Sequence, residues 1–405
     1  MQQIQARAVY RGLRIPHRQR GPFSIMDAIP GIIDRVSLLT PGFAERASLH
    51  DRTAGFPFEN FQELADAGLL ALPVPKAIGG GGGSVADAVR VVGLVAAADA
   101  ATGLVLAMHY IHHLVIAKNG HWPASLAEKV GRDAIDDIAL INALRVEPDL
   151  GSPARGGLPA TIARRTPEGW RISGRKIYST GAPILKWMTV WAKTDEADIR
   201  VGQFLVPAKS DGIRIVETWD HLGLRASGSH DVVFDDVLIP LDHEIDVRPP
   251  AAWGPPDVAQ ATIQAVLVGA VYDGVARAAR DWLIEFLRTR VPSSLGAPLS
   301  TLPRAQEIVG GIEAKLAVNA RLLNSFASDI DGRVSLSASE GNIVKLTVTN
   351  NAVATVEDAL SLTSNHGLTR ANPLERHYRD VLCGRVHTPQ DDSTRIAAGR
   401  RALGI

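Results

Sequence analysis

Three strings in this sequence of 405 residues hold side chains whose types and spacing could do chemistry. The first is Met108-His109-Tyr110-Ile111-His112-His113, in which His109 and His113 share a face if the string is helical. No His-Glu-x-x-His and no nearby carboxylate accompanies it, so three readings stand: a zinc site, packing or a solvated face, and a place in a substrate pocket. The second is the run Gly79 to Gly83, whose backbone can reach left-handed angles or approach a ligand closely. It lacks the Lys-Ser/Thr ending of a phosphate-binding loop, which leaves a plain flexible loop or a loop beside a ligand. The third is Arg385-Val386-His387-Thr388-Pro389-Gln390-Asp391-Asp392, where an imidazole able to titrate near neutral pH precedes a carboxylate pair. That pair can also solvate or cap a final helix.

The elements that must carry these strings follow from periodicity. From Ile32 to about Asn119 apolar residues recur at three and four, a helical pattern. Between 141 and about 246 the pattern changes to short alternating strands at 161–165, 170–173, 187–193, 203–206 and 231–235, with Gly, Pro, Asp and Ser at the breaks. Helices return over 259–289, 303–330, 337–363 and about 393–402, long and rich in alanine, as in a bundle. Strands segregated from helices indicate an α+β architecture and argue against a doubly wound nucleotide fold. The expected units are a basic arm over 1–27, helices over 28–140, a β domain over 141–250 and a helical bundle over 251–405.

Composition removes several function classes. Forty-three basic residues balance forty-three acidic ones, so nothing in the charge balance recruits nucleic acid. The longest apolar stretch, residues 91–105, is interrupted by Asp99 and is too short to span a bilayer. Cys383 is the only cysteine, which excludes an intramolecular disulfide or a multi-cysteine metal site and fits a reducing cytoplasm. The arm has five arginines but no apolar signal core, and is expected to be disordered or to precede a start at Met26. No Gly-x-Ser-x-Gly elbow follows a strand.

Several strings in order resemble the acyl-CoA dehydrogenase superfamily of flavoproteins. They are Phe56-Pro57, the stretch from Gly68 to Pro75 with Gly79-Gly80, Glu147-Pro148-Asp149-Leu150-Gly151-Ser152, Gly169 to Ala182, and His221 to Ser229 leading into Phe234-Asp235-Asp236-Val237-Leu238-Ile239-Pro240. The resemblance covers about residues 28–403. It implies an N-terminal helical domain, a central small β-barrel domain and a C-terminal four-helix bundle, assembled as a homotetramer with FAD or FMN between subunits. It further implies that Thr180 bonds flavin N5, that Tyr178 packs on the ring, and that Arg290 holds a pyrophosphate across a subunit contact. Asn365, His366 and Gly367 would stand where many relatives have a glycine-rich loop meeting a neighbour's flavin.

Dehydrogenation of an acyl-CoA needs a carboxylate to remove the proton α to the thioester carbonyl. Aligning Arg379-Asp380 with the family's Arg-Asp pair places that glutamate at Thr388, and the earlier position used by some relatives falls at Gln264. Neither side chain can serve. The resemblance therefore points to the oxygen-using branch, a monooxygenase acting on a small organic substrate without α-proton removal. Its flavin would arrive reduced or be reduced by a separate flavin reductase, since no dinucleotide fingerprint follows a strand. Ser179 and Thr180 would protect the oxygen-reacted cofactor as donors near N5, while His387 and one of His109, His112 or His113 would position the substrate or move its proton. The alternatives are an acyl-CoA dehydrogenase with its base relocated to Asp391 and a non-catalytic flavin- or acyl-CoA-binding protein.

Overall fold

The structure, a computed structural model, describes residues 30–118, 120–150, 157–254 and 257–405. The basic arm, Met26, and Gly151-Ser152 of the Glu-Pro string lie outside the described residues.

Five helices come first: α1 (Pro30–Thr53), α2 (Phe58–Asp66), α3 (Val85–Ala98), α4 (Ala100–Lys118) and α5 (Ala124–Asp136). Ser84 starts α3 by a reciprocal cap, accepting from the Asp87 N–H while the Asp87 carboxylate accepts from the Ser84 N–H. Helix α4 is apolar nearly all round because it runs through the middle of the fold. Both α4 and the later helix at Val258–Thr289 are long and apolar enough to cross a membrane, yet 78% and 72% of their most apolar windows are buried inside this fold, as core helices are.

Eight strands follow: β1 (Leu140–Leu144), β2 (Ile162–Thr166), β3 (Gly169–Lys176), β4 (Leu185–Thr194), β5 (Val201–Pro207), β6 (Ile213–Val216), β7 (Asp231–Ile239) and β8 (Glu244–Arg248). They form one curled sheet in the order β6-β7-β3-β2-β4-β5-β8, with β1 joined parallel to β4. The main ladders are antiparallel, and a short parallel contact between β2 and β4 bends the sheet. Strand β1 brings the first helical unit to the sheet, because its Ala143 N–H donates to His112 Nε2 of α4 at 2.9 Å.

The last unit contains α6 (Val258–Thr289), α7 (Pro303–Asp331), α8 (Ala338–Thr363), α9 (Asn365–Leu368), α10 (Leu374–Val386) and α11 (Asp391–Leu403). Helices α6, α7, α8 and α10 pack as a bundle, and α6 also packs on α3. That second contact is close enough to need glycine: a Cβ on Gly274 would stand 2.4 Å from the Gly93 carbonyl oxygen. Ser337 and Glu340 cap α8 reciprocally. Gln390, one residue before the expected Asp391, is the N-cap of α11, and Asp391 and Asp392 occupy its first turn, where negative charge suits the helix dipole.

Candidate active site

One corner is built on the β3–β4 turn. Lys176 ends β3 and is fully buried, with Nζ 2.6 Å from Glu147 Oε1. Glu147 also accepts from the Thr161 N–H, the Thr161 hydroxyl and the Ala160 N–H. Burial opposes its ionisation, but the bonds from Lys176 and Thr161 prevail and hold the carboxyl below its ordinary pKa. This anchored pair fixes the start of a turn held by further bonds: Ile177 N–H to the Val146 carbonyl at 3.0 Å, Asn142 Nδ2 to the Thr180 carbonyl at 2.9 Å, and a hydroxyl chain from Thr180 through Ser229 to Ser227.

Tyr178 has φ +56°, a left-handed angle that costs a bulky residue about 1–3 kcal/mol. The strain turns its ring outward, 55% exposed, edge-on to Trp219 and His221, which stack on each other at 3.6 Å. The Ser179 hydroxyl beside it is buried and has no partner among the described residues. A strained exposed ring, a bonded hydroxyl and an orphaned buried hydroxyl fit a planar heterocycle docked on the turn.

The second corner lies at the end of α10. The intervening loop ties it to the first: Asp380 of α10 accepts from the Leu224 N–H at 2.6 Å, and Trp219 donates to the Leu224 carbonyl. Two turns further on, His387 Nδ1 stands 3.1 Å from the Tyr272 hydroxyl. Gln264 lies two turns before Tyr272 on α6 and donates through Nε2 to the Thr388 carbonyl at 3.4 Å. The two positions where the resemblance places a catalytic glutamate therefore meet, and they hold an amide and a threonine. Burial raises the Tyr272 phenol well above its ordinary pKa, whereas burial and then the Lys345 charge lower His387 to about 4. The phenol thus keeps its proton and the imidazole is neutral; in the tautomer in which Nδ1 accepts from the phenol, the imidazole's own proton sits on Nε2.

Lys345 of α8 supports this corner from behind. It is fully buried and donates to the carbonyls of Gly384 at 2.7 Å and Pro389 at 3.0 Å. Asp391 faces the same helix: Oδ2 accepts from Asn350 at 2.8 Å, and Oδ1 is 3.8 Å from Lys345 Nζ. A carboxylate so engaged anchors α11.

The α4 histidines separate into different roles. His109 is sealed, with Nε2 donating to the Leu70 carbonyl and Nδ1 accepting from the Ile141 N–H. A pocket role for His109 is thereby corrected, since both nitrogens are spent joining α4 to the backbone on either side. His112 accepts from Ala143, and burial lowers it to about 4. His113 is buried edge-on to His109 at 4.5 Å, with Nε2 unpartnered among the described residues. Among the described residues no group of three or more His, Cys, Asp or Glu is arranged to hold a metal.

Arg290, Asn365, His366 and Gly367 gather elsewhere. Arg290 caps the end of α6 one turn after Phe286, on which His366 packs at 5.3 Å; Asn365 and His366 are exposed and Gly367 is buried. Eighteen residues at about 1.5 Å rise put Arg290 about 27 Å along α6 from Tyr272. Sequence reasoning missed Tyr272, Asn142, Arg145 and Lys345; the one available signal was a lysine inside the helical pattern of α8.

Comparison with known proteins follows the same outline. Family models described as the acyl-CoA dehydrogenase N-terminal, middle and C-terminal domains match residues 39–121, 145–237 and 266–391. The putative acyl-CoA dehydrogenase YdbM of Bacillus subtilis (strain 168) is 32% identical over 369 residues, 89% of this chain and 93% of that protein. L-evernosamine nitrososynthase of a Micromonospora species is 30% identical over 422 residues, 98% of this chain and 94% of that protein. The crystal structure of KijD3 in complex with FMN and dTDP-3-amino-2,3,6-trideoxy-4-keto-3-methyl-D-glucose is 28% identical, with a TM-score of 0.81 over 93% of this chain and 95% of that one. By this agreement of fold and sequence, the chain belongs to the acyl-CoA dehydrogenase family and is a flavoprotein oxidoreductase.

Proposed function

We propose that this chain is a flavin-dependent monooxygenase that oxygenates an amine nitrogen of a small polar substrate, with FMN or FAD as cofactor. The observation that carries the reading is the meeting of Gln264 with Thr388, an amide and a hydroxyl where a dehydrogenase of this family needs its carboxylate. The sugar-amine chemistry named for the nitrososynthase and KijD3 relatives supports the substrate class. The cofactor supplies two electrons, so that one atom of O2 goes to the substrate and the other leaves as water.

The chain's own groups bind and orient. Tyr178 offers a face to the ring, Thr180 and Ser179 offer hydroxyls to its polar edge, and the Trp219–His221 stack stands edge-on behind Tyr178. His387, neutral and fixed by Tyr272, offers its Nε2 proton to a lone pair on the substrate or takes part in moving a proton from the amine. Arg290, about 27 Å along α6 from Tyr272, and His366 of α9, packed on Phe286 beside it, gather at the far end of the bundle from His387, which supports a homotetramer in which a neighbour's bundle end completes each site. A separate cytoplasmic flavin reductase supplies the electrons.

The test is incubation of the flavin-loaded protein with a reductase, 18O2 and amino sugars free and nucleotide-linked. One labelled oxygen in the product supports the reading; peroxide alone, with every amine recovered intact, overturns it. The 32% identity to a putative acyl-CoA dehydrogenase favours a second reading, α,β-desaturation with Asp391 as base. It requires Asp391 to leave Asn350 and Lys345, and anaerobic bleaching of the oxidised protein by an acyl-CoA thioester would establish it.

A further inference from the structure

The junction of α4, β1 and β4 holds a positive charge that nothing in the mechanism above uses. Arg145 follows β1 directly, and its guanidinium lies over the Trp191 ring with Cζ 4.8 Å from the centroid. Its Nε is sealed from solvent with no acceptor, and it forms no ion pair among the described residues. The neighbouring cation, Lys176, is compensated by Glu147 at 2.6 Å. The neighbouring imidazole, His112, is neutral and accepts a hydrogen bond from the Ala143 N–H. One net positive charge is left. Burial pushes the Arg145 pKa down with no carboxylate among the described residues to offset it, so the described fold leaves its desolvation cost uncompensated.

A second orphan shares this face. Ala143 pairs with Thr189 in the β1–β4 ladder, and alternation places Thr189 on the same side of β4 as Trp191. The Thr189 hydroxyl is fully buried and unpartnered among the described residues. Unsatisfied buried donors on one face leave the positive charge of Arg145 without local compensation. Two bonds, Ile177 N–H to the Val146 carbonyl and Asn142 Nδ2 to the Thr180 carbonyl, stitch the strand carrying Arg145 to the Tyr178–Thr180 turn.

We propose that Arg145 is the counter-charge for the reduced flavin, a guanidinium held beside the ring-binding turn to stabilise the negative charge that a two-electron-reduced isoalloxazine gathers on its pyrimidine edge. This rests on the flavin reading above and adds to it a residue and an electrostatic role. A fixed cation there favours the reduced anion over the neutral oxidised ring, so it raises the reduction potential and lowers the pH at which the reduced ring ionises.

The test compares wild type with Arg145→Met and Arg145→Lys for affinity toward oxidised flavin, for midpoint potential and for thermal stability. Arg145→Met is expected to bind oxidised flavin within about threefold of wild type while losing about tenfold affinity for the reduced form, which lowers a two-electron potential by about 30 mV. Arg145→Lys is expected to recover most of that difference. An unchanged potential in a folded, flavin-loaded Arg145→Met protein overturns the assignment and leaves the flavin reading intact. Wild type that binds neither FMN nor FAD overturns both. Should Arg145→Met fail to fold, the wild type decides: its reduced bound flavin must ionise at lower pH than free reduced flavin titrated alongside, and coincidence of the two curves overturns the proposal.

Discussion

Replacing Lys345 with methionine tests whether the His387 corner is held in place from α8. The side chain is fully buried, and its Nζ donates to two carbonyls that bracket His387 and Thr388, those of Gly384 at 2.7 Å and Pro389 at 3.0 Å. Hydrogen bonds from a charged donor contribute about 1.5–3 kcal/mol each, so losing both costs about 3–6 kcal/mol. Methionine recovers part of this because it carries no charge into the core: burial lowers the lysine from 10.5 to about 8, and each pKa unit is about 1.4 kcal/mol. The net expectation is a destabilisation of about 1–3 kcal/mol, read as a lower urea midpoint at unchanged slope. Turnover falls further than stability, because release of the Gly384–Pro389 segment lets His387 leave Tyr272. The pH dependence supplies a second readout. With a folded pKa below the unfolded one, the unfolded chain binds the extra proton between pH 8 and 10.5, so this lysine makes wild-type stability rise with pH across that window. The methionine variant lacks that contribution. A variant as stable and as active as wild type, with the same pH profile, refutes the reasoning.

Four other outcomes follow from the same geometry. Tyr272→Phe keeps the buried ring but removes the donor to His387 Nδ1, so turnover is expected to drop about tenfold, from the roughly 1.4 kcal/mol of one hydrogen bond, with little change in melting temperature; His387→Ala is expected to impair turnover more, and unchanged turnover would remove His387 from the site. Gly384→Ala places a Cβ 3.1 Å from the Tyr272 ring, a clash of about 1 kcal/mol that offsets the similar helix gain of alanine, so activity should fall while stability holds. Acidification is expected to unfold the apoprotein steeply between pH 6.5 and 4. His109, His112 and His387 are lowered to about 4, His377 to about 3 and His113 well below 6.5, all by burial, so the unfolded chain takes up these protons first. His221 and His230 are lowered by burial as well, while His50 and Asp380 are raised and act in the opposite sense, leaving a net of five protons and at most about 7 kcal/mol per pH unit. Urea midpoints that stay level from pH 7 to pH 5 would contradict these buried neutral histidines.

The order of helices, sheet and bundle was legible because each unit keeps one period: alternating residues in β2 and β7, recurrence at three and four in α6 to α8. Strand β1 was not, since Leu140–Leu144 is buried on both faces and a short apolar run looks alike as strand or helix. The turn at Tyr178 was readable only through family resemblance, and nothing local announces its left-handed angle. Histidine spacing suggested chemistry for His109 that backbone partners at Leu70 and Ile141 have taken up. Lys345 and Arg145 stayed hidden for a different reason. A lysine matters here because carbonyls 39 and 44 residues away close on it, and an arginine because no carboxylate among the described residues does; neither condition exists until the chain folds.

Rapid mixing of the anaerobically reduced, flavin-loaded protein with oxygenated buffer tests the oxygen-inserting role most directly. The expected record is a delayed return to the oxidised spectrum through a distinct, long-lived absorbing phase that shortens when an amine substrate is present. A single direct return to oxidised flavin, with one peroxide released per flavin and no response to any amine, would contradict it.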